Sequence, residues 1–358
     1  MISINNTETI LEVRDLTISF NTYAGKVQAV RGINFNLYKG ETLAIVGESG
    51  SGKTVSAKSL IGLLAPTAVI EKGTSMYNGT DLTKLTDKQW DKYRGREIAM
   101  VFQDPFSSLS PIKKIGKQIS EIFTMQHKLP KKEAKERSLQ LMRDVGIPLP
   151  EKRYNQYPFQ FSGGMRQRIV IAIALASDPQ ILICDEPTTA LDVTIQAQVL
   201  SLITKLQKDR NITTIFITHD LGVVAHLADR IAVMYAGKIV EYGTAEDVFY
   251  NPQHPYTWSL MASMPDMDIE VGEELSVIQG SPPNMLLPPD GDAFAERNPN
   301  AVKLDFKEHP PMFRVSDTHY AATWLLHPNA PKVARPAQLE RRITNSLQRQ
   351  GLGVDGNG

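Results

Sequence analysis

The stretch "TLAIVGESGSGKTVSAKSLIGLL", residues 42–64, constrains this chain more than any other. A short apolar run ends in glycine, a glycine-rich loop follows, and then comes helical spacing at Val55, Leu60, Leu63 and Leu64. A continuous apolar run of this length reads as a strand buried on both faces, which requires helices or a second layer on each side of a parallel sheet. Strand, glycine loop and helix together make the βα half of an α/β sheet. The loop itself, Gly47 to Thr54, fits G-x-x-x-x-G-K-[ST]. Gly47, Gly50 and Gly52, with Ser49 between them, let the backbone curl so that successive N–H groups face phosphate oxygens at a helix N-terminus. Lys53 then reaches the β- and γ-phosphates, and the Thr54 hydroxyl is placed to ligate Mg²⁺. A flexible glycine loop without a ligand is the bland reading, and the flanking strand and helix argue against it.

The same device recurs downstream. "ILICDE", residues 181–186, is four apolar residues followed by two carboxylates. A strand buried on both faces can carry charge only at its open carboxyl end, where ligands bind in α/β sheets. Asp185 is expected to hold magnesium through water, and Glu186 to act as general base on the attacking water. "FITHD" ends an apolar strand at His219, a candidate γ-phosphate contact, although a lone histidine is more often structural. "MVFQDP" brings Gln103 to the same edge, where a neutral amide can accept from water and also ligate Mg²⁺.

Between about Pro111 and Asn155 two amphipathic helical patterns appear with no strand signal, a helical insert in the α/β rhythm. The rhythm resumes with "QILICDEP", a helix over "VTIQAQVLSLITKLQKDR", the strand "TTIFITHD", and a hairpin turning at Ala236-Gly237. Beyond Tyr250 the chain is proline-rich and irregular until a basic helical segment, "QLERRITNSLQRQ". The 39 basic and 39 acidic residues balance, which removes the simplest argument for a nucleic-acid partner. The single cysteine, Cys184, can form neither an internal disulfide nor a metal site alone, and points to a reducing compartment. The longest apolar run, Ile169 to Ala176, is far too short to span a bilayer.

A P-loop, then Gln103, "SGG" at 162–164, "CDEPTTALD" at 184–192 and His219, in that order, resemble the ATP-binding cassette ATPases over roughly residues 10–250. The resemblance implies an α/β P-loop nucleotide-binding domain over 1–250 with an N-terminal antiparallel β subdomain, a helical insert at about 105–160, and an irregular C-terminal extension over 251–358. It implies that Ser162, Gly163 and Gly164 form a signature turn serving a nucleotide held by another subunit, with Asp192 in the loop that links the two sites. Phe161 and Met165 stand where that family usually has Leu and Gln. It also implies an aromatic stacked on adenine: Phe20 by position, with Tyr23 competing.

"YAGKIVEYGTAEDVFYNPQHPYTWSLMASMP" and the proline-rich tail are similar to the ATP-binding subunits of the peptide/nickel permease group, in particular the D-type subunits of oligopeptide permeases in a Gram-positive, streptococcal-like form. That implies an ATP- and Mg²⁺-dependent ATPase, peripheral on the cytoplasmic face of the cell membrane. Its implied partners are a paralogous ATP-binding subunit in a heterodimer, two transmembrane permease subunits and an extracellular peptide-binding lipoprotein. Dipeptide or nickel import is the alternative, and a non-transport cassette ATPase a more distant one. Many members carry tail cysteines that ligate an iron–sulfur cluster; "PPDGDAFAERNPNA" has none, so no cluster is expected.

Overall fold

The computed structural model describes residues 8–189, 191–225, 227–264 and 278–349. Strands β1 (Thr9–Thr22) and β2 (Gly25–Tyr38) form an antiparallel hairpin closed by Tyr23 and Ala24, so the expected turn over "NTYAGK" is shorter than that segment. β3 (Thr42–Val46) leads through the glycine loop into α1 (Lys53–Ser59). The helical pattern continues to Leu64, but the regular helix does not. Gly62 adopts φ 63°, and the Leu63 N–H returns to the Lys58 carbonyl at 2.9 Å, closing the helix in a Schellman turn.

β4 (Ala68–Tyr77) and β5 (Thr80–Asp81) complete an antiparallel sheet ordered β2-β1-β4-β5. β6 (Ile98–Val101) then enters the main sheet. Helices α2 (Ile115–Met125) and α3 (Lys131–Asp144) form the insert, and α4 (Gly163–Leu175) returns the chain to the core. β7 (Ile181–Asp185), α5 (Val193–Arg210), β8 (Thr213–Thr218), β9 (Arg230–Tyr235) and β10 (Lys238–Thr244) follow the expected rhythm.

The described parts of the tail are packed against the main body. α6 (Pro255–Ala262) buries Tyr256 and Trp258, and the short strands β11 (Phe313–Arg314) and β12 (Tyr320–Ala321) extend the main sheet from β10. α7 (Ala337–Arg349) packs against α6. The main sheet therefore runs β11-β12-β10-β9-β3-β8-β7-β6, parallel from β9 through β6.

Alternation on these central strands divides the core in two. Leu43, Ile45, Ile183 and Ile217 face the antiparallel sheet and α1; Ala44, Val46, Leu182 and Phe216 face α4 and α5. With both faces covered, polar chemistry is confined to the carboxyl edge of β3, β7 and β8. No helix among the described residues is long and apolar enough to cross a membrane.

Candidate nucleotide site

The glycine loop is threaded through a space that admits no side chains. A Cβ on Gly47 would fall 2.0 Å from the Met234 carbonyl oxygen, and one on Gly52 2.4 Å from that of Ala29. Gly52 also holds φ 101°, which an L side chain rarely adopts. The loop is thus pressed against β2 and β9. Its lysine is buried, and the Lys53 ammonium donates to the carbonyls of Gly47 (2.7 Å) and Glu48 (2.9 Å). Burial pulls the Lys53 pKa down, while Glu186, Asp185 and Glu48 push it back up.

Beside it, the Thr54 hydroxyl donates to Asp185 Oδ1 at 2.9 Å. Burial raises the Asp185 pKa; the Thr54 bond opposes that, and the neighbouring Glu186 adds to it. Thr54, Gln103 and Asp185 also line a smaller recess together. A hydroxyl, an amide and a carboxylate are the hard oxygen donors that Mg²⁺ takes, with waters and phosphate oxygens filling the remaining positions. These residues fit that ion.

Glu186 directly follows β7 with φ 44°, an uncommon conformation for a non-glycine residue and one found at functional sites. Its backbone N–H is tied to the Ile217 carbonyl at 2.9 Å. Three side chains from separate elements converge on one carboxylate oxygen. Gln103 Nε2 donates to Glu186 Oε2 at 3.0 Å, the Thr189 hydroxyl donates at 3.0 Å, and His219 Nδ1 lies 3.3 Å away. A cleft of about 760 Å³ is bounded by Ser49, Gly50, Lys53, Thr54, Gln103 and Glu186, with Gly52 and His219. Gly47 stays beneath, as the buried floor of the loop.

The signature residues lie elsewhere. Ser162 is the exposed N-cap of α4, its hydroxyl oxygen accepting from the Met165 N–H at 3.4 Å. Asp192 is the exposed N-cap of α5, accepting from the Ile195 N–H at 3.0 Å. The two helix starts touch: a Cβ on Gly164 would meet Ile195 Cγ2 at 2.4 Å, and one on Gly163 would meet Leu191 at 3.7 Å. None of Ser162, Gly163, Gly164 or Asp192 lines the cleft. Neither do the two aromatics: Phe20 is half-buried in register between Val27 and Ala68, and Tyr23 stands fully exposed at the hairpin tip.

A further wall of the cleft carries no signal in the sequence. Leu260, Ser263 and Ile278, all beyond residue 250, line the same cleft. Arg297 forms a bidentate pair with Glu48 at 2.6 and 3.0 Å, and the Glu48 N–H donates to the Tyr256 hydroxyl at 2.8 Å. No local motif marks these residues; only an acidic residue inside a phosphate loop hints that a cation must come from somewhere.

The tail does not suit an iron–sulfur cluster. Asp292, Asn298 and Asp305 accept backbone N–H groups of Phe294, Asn300 and Val302 at 3.0, 2.9 and 2.6 Å. These are oxygen acceptors already committed, whereas cluster irons take thiolates. Cys184 is fully buried in β7, and burial pushes its thiol up to about 12.

Comparison with known proteins places these features in context. The ABC transporter family model matches residues 30–189, and the model for the oligopeptide/dipeptide transporter C-terminal region matches residues 240–303. The oligopeptide transport ATP-binding protein OppD of Bacillus subtilis is 56% identical over 96% of this chain and 97% of its own. The dipeptide transport ATP-binding protein DppD of Lactococcus lactis is 58% identical over 91% of this chain and 93% of its own. The oligopeptide protein AmiE of Streptococcus pneumoniae is 54% identical over 96% and 97%. Among solved structures, a dimeric ATP-binding cassette in a post-hydrolysis state with ADP and phosphate superposes with a TM-score of 0.59. It is 26% identical and covers 66% of this chain and 98% of its own.

Proposed function

The chain belongs to the ATP-binding cassette transporter family, as an ATPase of the peptide-transport type, and from that premise we propose that it drives oligopeptide import by binding ATP in the cleft above Lys53. The observation that carries this reading is the convergence of Gln103, Thr189 and His219 on Glu186 Oε2, beside Lys53 and the Thr54–Asp185 pair. Lys53 exchanges the loop carbonyls for β- and γ-phosphate oxygens. Gln103 and His219 hold Glu186 so that its carboxylate accepts a proton from water as the water oxygen attacks Pγ. The bond from Pγ to the bridging oxygen breaks, and ADP and phosphate leave. Thr54, Asp185 and Gln103 would hold Mg²⁺, which neutralises charge on the phosphates.

We place Ser162 and the Gly164 N–H on the γ-phosphate of a second cassette, with Asp192 linking the two sites. This is supported by their position outside the cleft of their own chain, at the N-terminus of a helix whose cap, Ser162, is exposed. Closure of two such chains on ATP moves transmembrane permease subunits, and hydrolysis resets them. In this reading the second cassette is a paralogue, so the dimer has two inequivalent sites. The complex would sit at the cytoplasmic face of the membrane with a peptide-binding lipoprotein outside, and nucleic acid has no part in it. Residues 1–250 would bear the ATPase and 251–358 the peptide-transporter extension. An aromatic stack on adenine, from Phe20 or Tyr23, remains part of the proposal and requires movement of the hairpin.

The oligopeptide reading rests on the somewhat longer match to the Bacillus and streptococcal oligopeptide relatives, 96% of this chain against 91% for the dipeptide relative, whose identity is 58% against 56% and 54%. The test is Lys53→Ala in cells that depend on peptides for an essential amino acid. Loss of growth on tetra- and pentapeptides, with dipeptide use retained, is expected. Loss of dipeptide use alone would favour the dipeptide alternative, and unimpaired growth on both would remove the importer assignment.

A further inference from the structure

Glu48 is an odd residue for a loop that receives a triphosphate. An unneutralised carboxylate there repels the ligand, and in a partly desolvated cleft that repulsion is strong. All three of its polar groups are held. The N–H is tied to Tyr256, the carbonyl to Lys53 and the carboxylate to both arms of Arg297. Two of those three partners come from the C-terminal extension.

Arg297 is itself fixed from all sides. Its side chain is 5% exposed. It donates further to the Tyr235 hydroxyl (3.1 Å) and to the carbonyls of Gln279 (2.8 Å) and Ile278 (3.4 Å), and it lies over the rings of Tyr235 and Phe294. Those two rings pack with Tyr256 at centroid separations of 4.5 to 5.4 Å, forming a solid base under the loop. The hydrogen bonds that Arg297 donates to Glu48 hold its pKa above the ordinary value, so its charge is permanent. When ATP draws Lys53 away from the Glu48 carbonyl, the other two holds remain.

We propose that the C-terminal extension is a working part of the ATP site: Arg297 is a positioning residue that neutralises Glu48 and fixes the phosphate loop, while Leu260, Ser263 and Ile278 close one wall of the cleft. This rests on the reading of the cleft as the ATP site. It assigns the extension a role in nucleotide binding within its own chain, apart from any contact with permease or partner ATPase.

The test is ATP affinity of the full-length chain by titration calorimetry. Arg297→Met leaves the Glu48 carboxylate bare and is expected to weaken ATP binding about ten-fold or more at low salt, the loss shrinking as salt screens the repulsion. Adding Glu48→Gln to that variant removes the repelling charge and should restore affinity to within about three-fold of the unmodified chain. A merely structural loss of packing at Arg297 would not be rescued in this way. Unchanged affinity in Arg297→Met, or no recovery in the double variant, overturns the proposal. Should Arg297→Met fail to fold, Glu48→Gln alone decides: affinity kept or raised supports the proposal, and a ten-fold loss sinks it. Lys53→Ala, measured alongside, separates the two levels. Binding lost there but intact in Arg297→Met defeats only the extension's role; binding intact in both defeats the cleft assignment.

Discussion

Two glycine-rich turns open helices in this chain, and they differ in almost every physical respect. The loop before α1 needs its glycines for conformation and close approach: Gly52 sits at φ 101° with the Ala29 carbonyl against it. The turn before α4 has no left-handed residue, and Gly164 is glycine because Ile195 fills the space where a side chain would be. The first turn is enclosed by its own chain, with Lys53 capping its carbonyls and the extension behind Glu48. The second points Ser162 outward. The first is a finished cradle, complete within its own chain; the second, open at Ser162, suits the proposed role of meeting a nucleotide held by another subunit.

The largest effect is expected on the finished side. Glu186→Gln keeps the hydrogen-bonding shape but cannot accept a proton. Turnover by the assembled transporter should fall at least 100-fold while ATP binding persists, trapping a closed dimer. Phosphate release at the unmodified rate in that variant would take Glu186 out of the chemistry.

The outward turn is tested by Gly163→Asp. A Cβ at Gly163 meets only Leu191 at an ordinary 3.7 Å, so the fold should tolerate the change, yet it sets a negative charge where the second subunit's phosphate would arrive. ATP affinity of the isolated chain should be unchanged, and turnover of the assembled complex should fall about ten-fold or more. A comparable drop in affinity of the isolated chain would show that the turn serves its own nucleotide, and the contrast between the two turns would vanish.

How far the sequence revealed this contrast depended on the range of the interactions. Helix α5 begins and ends where its pattern says, because an Asp192 cap and an Asn211 stop are local signals. β3, β7 and β8 were legible as apolar runs because both faces are buried, and their carboxyl ends were legible because charge has nowhere else to go. Helix α1 was overread because Gly62 closes it before the hydrophobic spacing ends. In the tail the basic helix α7 was legible, but the packing of the extension against the phosphate loop was not. Arg297 meets Glu48 across 249 positions, and nothing local in "AFAERNP" announces it. Periodicity could not find α6 either, since a helix buried on all sides has no polar face to reveal it.

The smallest expected effect is a pH dependence of the first turn, which is backed by the buried His254. His254 is wholly buried, and its Nδ1 accepts the Tyr256 N–H at 3.0 Å, which puts the ring proton on Nε2, 3.9 Å from Asp292 Oδ2. Burial lowers the His254 pKa to about 4, against the raising influence of Glu241. A depressed pKa means that the stability contributed is fully present above about 6.5 and is lost as pH falls toward 4. Asp292 works the other way: burial raises it to about 6, so its contribution grows on acidification and offsets part of the loss. What the offset cannot repair is geometry. A proton on Nδ1 abolishes the acceptor that caps α6 at Tyr256, and the Tyr256 hydroxyl holds the Glu48 N–H. ATP affinity of the full-length chain should therefore weaken about two-fold between pH 6.5 and about 4, where half of His254 is protonated, beyond any titration of ATP itself. His254→Asn supplies a capping oxygen that does not titrate and should remove that excess. Identical pH profiles for the two chains would mean that acid does not reach the phosphate loop through α6, and the cradle would then be no more coupled to the tail than the outward turn is.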